Sequence, residues 1–280
     1  MHNIRELVEL STNYLEKKKV KEPRREAEEL LAFLLNRKRL ELYFDYDAPL
    51  EEKEVARYRE WIRRKGEREP LPYITGEVSF LGLKLKVTPD TLIPRQETEI
   101  LADKILKALP EKPCTIWDLC TGNGCLGLSI KDQRGDCTVK LSDLSKKALS
   151  VARENAASSA LSVEILEGDL CAPFQGQKAD VVICNPPYIS PEDYLHLEEE
   201  VRLYEPKEAL VGGLDFYKRL SLELPPFLNP GAKLFFEIGT GQGEGVDSLF
   251  HQSHWKQKRC EKDWGGHDRF FFLEYHPETK

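Results

Sequence analysis

From about Thr88 to its end the chain alternates strand-like runs with helical stretches, and no other feature constrains its fold as tightly. The strand candidates are Thr115–Leu119, Thr138–Ser142, Val163–Leu166, Asp180–Cys184 and Lys233–Ile238, with a last pair near Lys256–Cys260 and Arg269–Tyr275. Helical stretches such as Lys146–Ala157 lie between most of them. Repeated strand–helix–strand units predict an α/β fold with a parallel, doubly wound sheet. On such a sheet ligands bind at the carboxyl ends of the strands, near the point where the strand order reverses.

The chain before that alternation reads differently. Ala27, Leu30, Leu31 and Leu34 recur at helical spacing behind Pro23, a residue tolerated in a first turn. Val55, Tyr58, Trp61 and Ile62 form a second apolar stripe. Both predict the core of a small helical bundle. Gly66 to Pro72 marks a break. Leu83, Leu85 and Val87 then alternate with Lys84 and Lys86, which predicts a β-hairpin turning near Gly82. The expected organisation is a helical domain over 1–72, a hairpin linker over 73–90 and the alternating domain over 91–280.

Composition narrows the class. Hydrophobic residues make up 40% and charged residues 32% of 280, enough apolar content for a packed core. No apolar run approaches the ~18–20 residues that span a bilayer. Met1 to Leu10 is polar with both signs of charge, unlike a signal peptide, so a cytoplasmic location is expected. Residues 1–72 hold 17 Lys and Arg against 16 Asp and Glu, and the remainder 24 against 32, for a net charge of -7. The alternating half is therefore the acidic one, which weighs against a polyanionic substrate. Seven cysteines, none in a Cys-x-x-Cys pair, predict reduced and mostly buried thiols. His251 and His254 have no second ligand pair at zinc spacing, and no metal site is expected.

Two segments carry chemistry. The first is Asp118-Leu119-Cys120-Thr121-Gly122-Asn123-Gly124, between a strand and a helix. Glycines there let the backbone turn tightly and approach a ligand, and the helix behind offers unpaired N–H groups. Asp143 ends the next strand, where a carboxylate can accept the two hydroxyl hydrogens of a ribose. Gly122-x-Gly124-x-x-Gly127 also matches the dinucleotide fingerprint, with an acid 21 residues after Gly122. The loop alone leaves a nicotinamide cofactor and S-adenosyl-L-methionine both open. Asp118 favours the latter, as an acid suited to the methionine amino group, and no Tyr-x-x-x-Lys pair follows the loop.

The second segment is Asn185-Pro186-Pro187-Tyr188, after the strand Asp180–Cys184. An amide or exocyclic amine nitrogen is a poor nucleophile because resonance delocalises its lone pair. Acceptors for both of its N–H groups localise that pair and aim it. Proline lacks an N–H and holds the preceding residue extended, so this loop is stiff and rich in acceptors. The Asn185 side-chain oxygen and the Pro186 carbonyl are the expected pair. Pro187 and Tyr188 would complete the site, with the Tyr188 ring as an apolar wall. Positioning of this kind supplies several kcal/mol of barrier reduction.

With these residues in view, the chain resembles the release-factor glutamine methyltransferase family, also called the HemK or PrmC family. The resemblance runs nearly end to end. Glu69 to Gly76 resembles the family's domain linker, and Thr91 to Glu99 (Thr-Leu-Ile-Pro-Arg-Gln-Glu-Thr-Glu) its signature ahead of the catalytic domain. Asn185 to Tyr188 matches its catalytic motif, and Glu205 to Leu210 with Gly212, Gly213 and Asp215 to Tyr217 the segment after it. The four-residue motif alone is shared with DNA adenine and several RNA methyltransferases, so an adenine or guanine amino-methyltransferase is the alternative reading.

The resemblance implies a class I, Rossmann-like methyltransferase domain with a seven-stranded, mostly parallel sheet behind a helical domain that helps recognise the release factor. It implies S-adenosyl-L-methionine as methyl donor, S-adenosyl-L-homocysteine as product, and the Gly-Gly-Gln glutamine of class I peptide-chain release factors as acceptor. A monomer with no membrane and no direct nucleic-acid substrate is expected. Asp118, Cys120, Thr121, Gly122, Asn123, Gly124, Asp143, Asp169, Leu170 and Asn185 would hold the cofactor. Asn185 and Pro186 would grip the glutamine amide. The chain departs from the family pattern at Cys120, usually glycine, and at Gln96, usually proline.

Overall fold

The structure, a computed structural model, describes residues 2–278 and divides into two compact units. The smaller is helical: α1 (Ile4–Lys17), α2 (Pro23–Leu34), α3 (Glu52–Gly66) and α4 (Leu71–Thr75). Asn3 caps α1 by accepting from the Glu6 N–H at 2.9 Å while Glu6 reaches back, and Pro23 occupies the first turn of α2. Both apolar stripes turn inward: Ala27, Leu30, Leu31, Val55, Tyr58, Trp61 and Ile62 are all buried. Pro70 and Pro72 start α4, and Gly76, at φ 83, ends it. The expected linker over 73–90 therefore begins as helix.

The larger unit starts at Val78. Its first pair, β1 (Glu77–Phe80) and β2 (Leu83–Lys86), turns at Leu81 and Gly82. Phe80 and Leu85 are buried in the core beside α5 (Gln96–Ala108). The hairpin is thus part of this unit's packing rather than a tether. A further departure is that Glu198–Tyr204, far along the chain, belongs to the helical unit. Lys65, with a side chain only 5% exposed, pairs there with Glu26 and Glu200, each at 3.3 Å, and the Tyr204 hydroxyl donates to the Glu67 carbonyl at 2.7 Å.

The large sheet follows β3 (Thr115–Leu119), β4 (Thr138–Asp143), β5 (Glu164–Glu167), β6 (Ala179–Cys184), β7 (Leu228–Glu237), β8 (Trp255–Lys262) and β9 (Asp268–Tyr275). Its order is β5-β4-β3-β6-β7-β9-β8, parallel except for β9. The order reverses between β3 and β6. Side chains alternate between faces. Trp117, Val182, Leu234 and Phe236 enter the core under α10 (Asp215–Glu223) and α11 (Gly243–Leu249), where Trp117 stacks on Phe174 at 4.0 Å. Ile116, Val181, Ile183 and Phe235 enter the other core, under α5, α6 (Cys125–Gln133) and α7 (Lys146–Ser158). The seven-stranded, mostly parallel, Rossmann-like sheet is as expected. Among the described residues no helix is long and apolar enough to cross a membrane.

Candidate active site

Leu119 pairs with Cys184 in the β3–β6 ladder. The next residues, Cys120 and Asn185, therefore leave the sheet side by side, at its reversal point. A cavity of about 470 Å³ opens there, within the range of small-molecule sites. The two sequence segments that carry chemistry are its neighbouring walls.

Asp118 organises the first wall. It is 1% exposed. Its Oδ2 accepts from the Thr121 hydroxyl and from the Gly127 N–H at 2.9 Å. Gly127 lets α6 approach this closely: a Cβ there would lie 2.1 Å from Leu141 Cδ2 and 2.9 Å from Asp118 Oδ2. Burial pushes the Asp118 carboxyl up to about 7, against the pull of those two hydrogen bonds. Asp143 takes the Gly122 N–H on Oδ2 at 2.9 Å and the Ser145 N–H on Oδ1 at 2.8 Å. Burial raises its pKa too, with those N–H groups opposing. The Asp143 carboxylate keeps acceptor capacity for a ligand.

Asn155, fully buried, fixes the loop from behind. Its Nδ2 donates to the Asn123 and Lys86 carbonyls at 2.9 and 3.1 Å, and its Oδ1 accepts from the Lys86 N–H at 2.6 Å. Cys120 sits at φ 55, the left-handed region. A side chain there costs about 1–2 kcal/mol, which gives the family's usual glycine a physical reason.

Asn185 and Pro187 line the cavity; Pro186 and Tyr188 do not. Pro186 is buried between the two lining residues. The Tyr188 hydroxyl donates to Glu237 Oε1 at 3.3 Å. Gly212 backs onto Pro187, where a Cβ would fall 2.3 Å from the Pro187 carbonyl oxygen. The Gly212 N–H donates to the Ile189 carbonyl at 3.0 Å, and the Ile189 N–H donates to the Leu210 carbonyl at 2.9 Å. The segment after the motif is therefore its buttress.

Every expected cofactor residue except Gly124 lines the cavity. Gly124 caps α6 at φ 86, beside Leu128, and so shapes the loop instead. Asp169 is held by Arg219 in a two-pronged pair at 3.0 and 2.9 Å. Thr91, Leu92, Pro94 and Thr98 of the signature also line the cavity, as do Leu144, Ala148 and Phe216. The signature's resemblance could have flagged the first four. Asn155, Arg219 and Glu237 carry no local pattern that marks them.

These walls suit a ligand with a cation for Asp118, a vicinal diol for Asp143 and a flat apolar ring for Leu144, Ala148 and Leu170. The Asn123 Nδ2 is buried with no hydrogen-bond partner, a donor left for a carboxylate. S-adenosyl-L-methionine has all four features. Among the described residues no three His, Cys, Asp or Glu side chains gather as a metal would require.

The chain is similar to known proteins in both units. Residues 6–76 match the PrmC N-terminal domain and residues 96–201 the methyltransferase small domain. The chain is 42% identical to the release factor glutamine methyltransferase of Chlamydia trachomatis serovar L2, over 97% of this chain and 94% of that one. It is 37% identical to the release factor glutamine methyltransferase of Geobacter sulfurreducens, over 95% and 94% of the two chains. Among solved structures, a methyltransferase from Pyrococcus furiosus aligns with a TM-score of 0.52 at 16% identity, over 70% of this chain and 90% of that one. That last likeness is one of fold.

Proposed function

The chain belongs to the release factor glutamine methyltransferase family, and from that premise we propose that it transfers a methyl group from S-adenosyl-L-methionine to the side-chain amide nitrogen of a glutamine in class I peptide-chain release factors. The acceptor is the glutamine of the Gly-Gly-Gln motif. The observation that carries this reading is the place of Asn185. It stands on a loop without flexible residues, on the wall of the cavity that holds Asp118 and Asp143, one strand away from the glycine loop.

Asp118 takes the ammonium of the methionine part, Asn123 its carboxylate, and Asp143 the two ribose hydroxyls. Asp169 and Leu170 would flank the adenine, and the Cys120–Gly124 loop would hold the chain between. When bound, the cofactor supplies an electrophilic methyl group on a sulfonium. The Asn185 Oδ1 accepts one N–H of the glutamine amide and the Pro186 carbonyl accepts the other. The nitrogen lone pair is then partly localised and aimed along the line of transfer. The alkylated amide loses its proton readily, so no strong base is needed. Asp118 and Asp143 are left free to bind rather than to move protons.

The helical unit contributes recognition of the protein substrate. Its near-neutral charge and the acidic catalytic half argue against a nucleic-acid substrate. The enzyme acts as a monomer in the cytoplasm, where release factors work. Asn185→Ala tests the reading. In single-turnover transfer at saturating S-adenosyl-L-methionine it is expected to lose at least about a hundredfold in rate, with cofactor affinity kept. Wild-type turnover would reduce the motif to a rigid turn.

A further inference from the structure

Two carboxylates with no part in the reaction are buried in the catalytic unit. Glu205 is 5% exposed and Glu237 1%. Both are held by the signature segment. The Ile93 N–H donates to Glu205 at 3.1 Å and Arg95 pairs with it. The Thr98 hydroxyl donates to Glu237 Oε2 at 2.7 Å. Isolated burial of such a charge costs several kcal/mol, so its placement calls for a use.

Glu237 ends β7, and the pairing of Cys184 with Phe236 sets it beside Asn185 where both strands end. Its Oε1 accepts from the Tyr188 hydroxyl at 3.3 Å. Arg269, with Nη1 3.5 Å from the same hydroxyl, pairs with Asp263 at 3.3 Å and keeps positive charge near the carboxylate. The turn that follows Glu237 holds the other side of Tyr188. Gln242 Nε2 donates to the Tyr188 carbonyl at 2.8 Å, and Gln242 Oε1 accepts from the Gly239 N–H at 2.9 Å. The last residue of the Asn-Pro-Pro-Tyr motif is thus gripped by ring and by backbone from one stretch of chain.

We propose that Glu237 is a positioning residue for methyl transfer: anchored by Thr98, it fixes the Tyr188 phenol and so sets where Asn185 and Pro186 meet the acceptor amide. The inference rests on the methyl-transfer reading above. It gives the Thr91–Glu99 signature a task, that of bracing the acceptor loop through Glu237 and its buttress through Glu205. Displacement of a reacting group by about 1 Å costs on the order of a hundredfold in rate, and a stiff loop transmits such a displacement instead of absorbing it.

The test uses the full chain with Glu237→Gln, Tyr188→Phe and the two together. Glutamine preserves volume and the acceptor for Thr98. Three readouts are taken: single-turnover transfer to an intact release factor, cofactor affinity by calorimetry, and amide hydrogen exchange in the peptide spanning residues 183–192. Each single variant is expected to slow transfer on the order of ten- to a hundredfold, to leave cofactor affinity unchanged and to speed exchange in that peptide. The double variant is expected to be no slower than the slower single, because both changes act on one contact. Wild-type rates and exchange, losses that multiply in the double variant, or an equal loss of cofactor affinity would each overturn the proposal. Should Glu237→Gln fail to fold, Tyr188→Phe alone is judged by the same readouts. If the wild-type enzyme itself transferred no methyl group to release factor, the functional reading would fall, while the exchange data would still decide whether Glu237 holds the loop.

Discussion

Asp118→Asn separates what the site's most buried acid does for binding from what it costs the fold. An asparagine oriented with its oxygen at the Oδ2 position keeps the acceptor for the Thr121 hydroxyl and the Gly127 N–H, and removes the charge. The carboxyl titrates near 3.8 when unfolded and is pushed up to about 7 by burial in the fold, with the neighbouring Asp143 charge adding to the rise. Between those values the folded chain binds more protons than the unfolded one, so this group's contribution to stability falls as pH rises from about 4 to about 7. At about 1.4 kcal/mol per pKa unit, the loss is a little over 4 kcal/mol at pH 8. The variant is free of it. Urea denaturation is therefore expected to show Asp118→Asn more stable than wild type at pH 8, by on the order of 2–4 kcal/mol, with the gap closing toward pH 4. Cofactor binding moves the other way. Losing a charged partner for the ammonium costs about 1.5–3 kcal/mol. Calorimetry on the wild type is expected to show affinity rising with pH up to about 7 and then levelling, as the carboxylate forms, and the variant to be weak and flat over that range. A variant less stable than wild type at pH 8, or one with full cofactor affinity, would refute the assignment.

Gly127 and Cys120 give two further tests. Gly127→Ala drives a methyl group into Leu141 and the Asp118 carboxylate; melting should show a loss of about 1–3 kcal/mol, and calorimetry a weaker hold on S-adenosyl-L-methionine. An unchanged midpoint would mean that α6 packs less closely than described. Cys120→Gly relieves a residue at φ 55, a gain of about 1–2 kcal/mol partly offset by about 0.4–1 kcal/mol of chain entropy. A higher melting midpoint with unchanged cofactor affinity is expected, and a lower midpoint would show that the thiol's packing outweighs the strain.

Much of the catalytic unit was legible because its strands are short buried runs and its loops are punctuated by glycine and proline. Each of the seven sheet strands falls where the alternation put it, though β7 starts at Leu228, ahead of the expected Lys233, because Pro230 and Gly231 mask its first half. The loops after β3 and β6 could be read as neighbours, since a parallel doubly wound sheet sets them together. Contacts distant along the chain left no such trace. Nothing local to Glu198–Tyr204 tells that it packs with the helical unit, and nothing local to Asn155 tells that it braces a loop 32 residues away. The anchor of the Tyr188 hydroxyl was hidden for the same reason: its partner Glu237 lies 49 residues on. The hairpin at Glu77–Lys86 was legible as strands but not as core, because only packing shows Phe80 and Leu85 beneath α5.

The central claim is that Asn185 and Pro186 present a protein glutamine amide to a methyl donor held by Asp118 and Asp143. Mass spectrometry of a class I release factor after incubation with the enzyme and isotopically labelled S-adenosyl-L-methionine tests it most directly. One labelled methyl group is expected, on the side-chain nitrogen of the Gly-Gly-Gln glutamine, and none when that glutamine is replaced by alanine. Label on any other residue, or label only in nucleic acid added to the same reaction, would contradict the account.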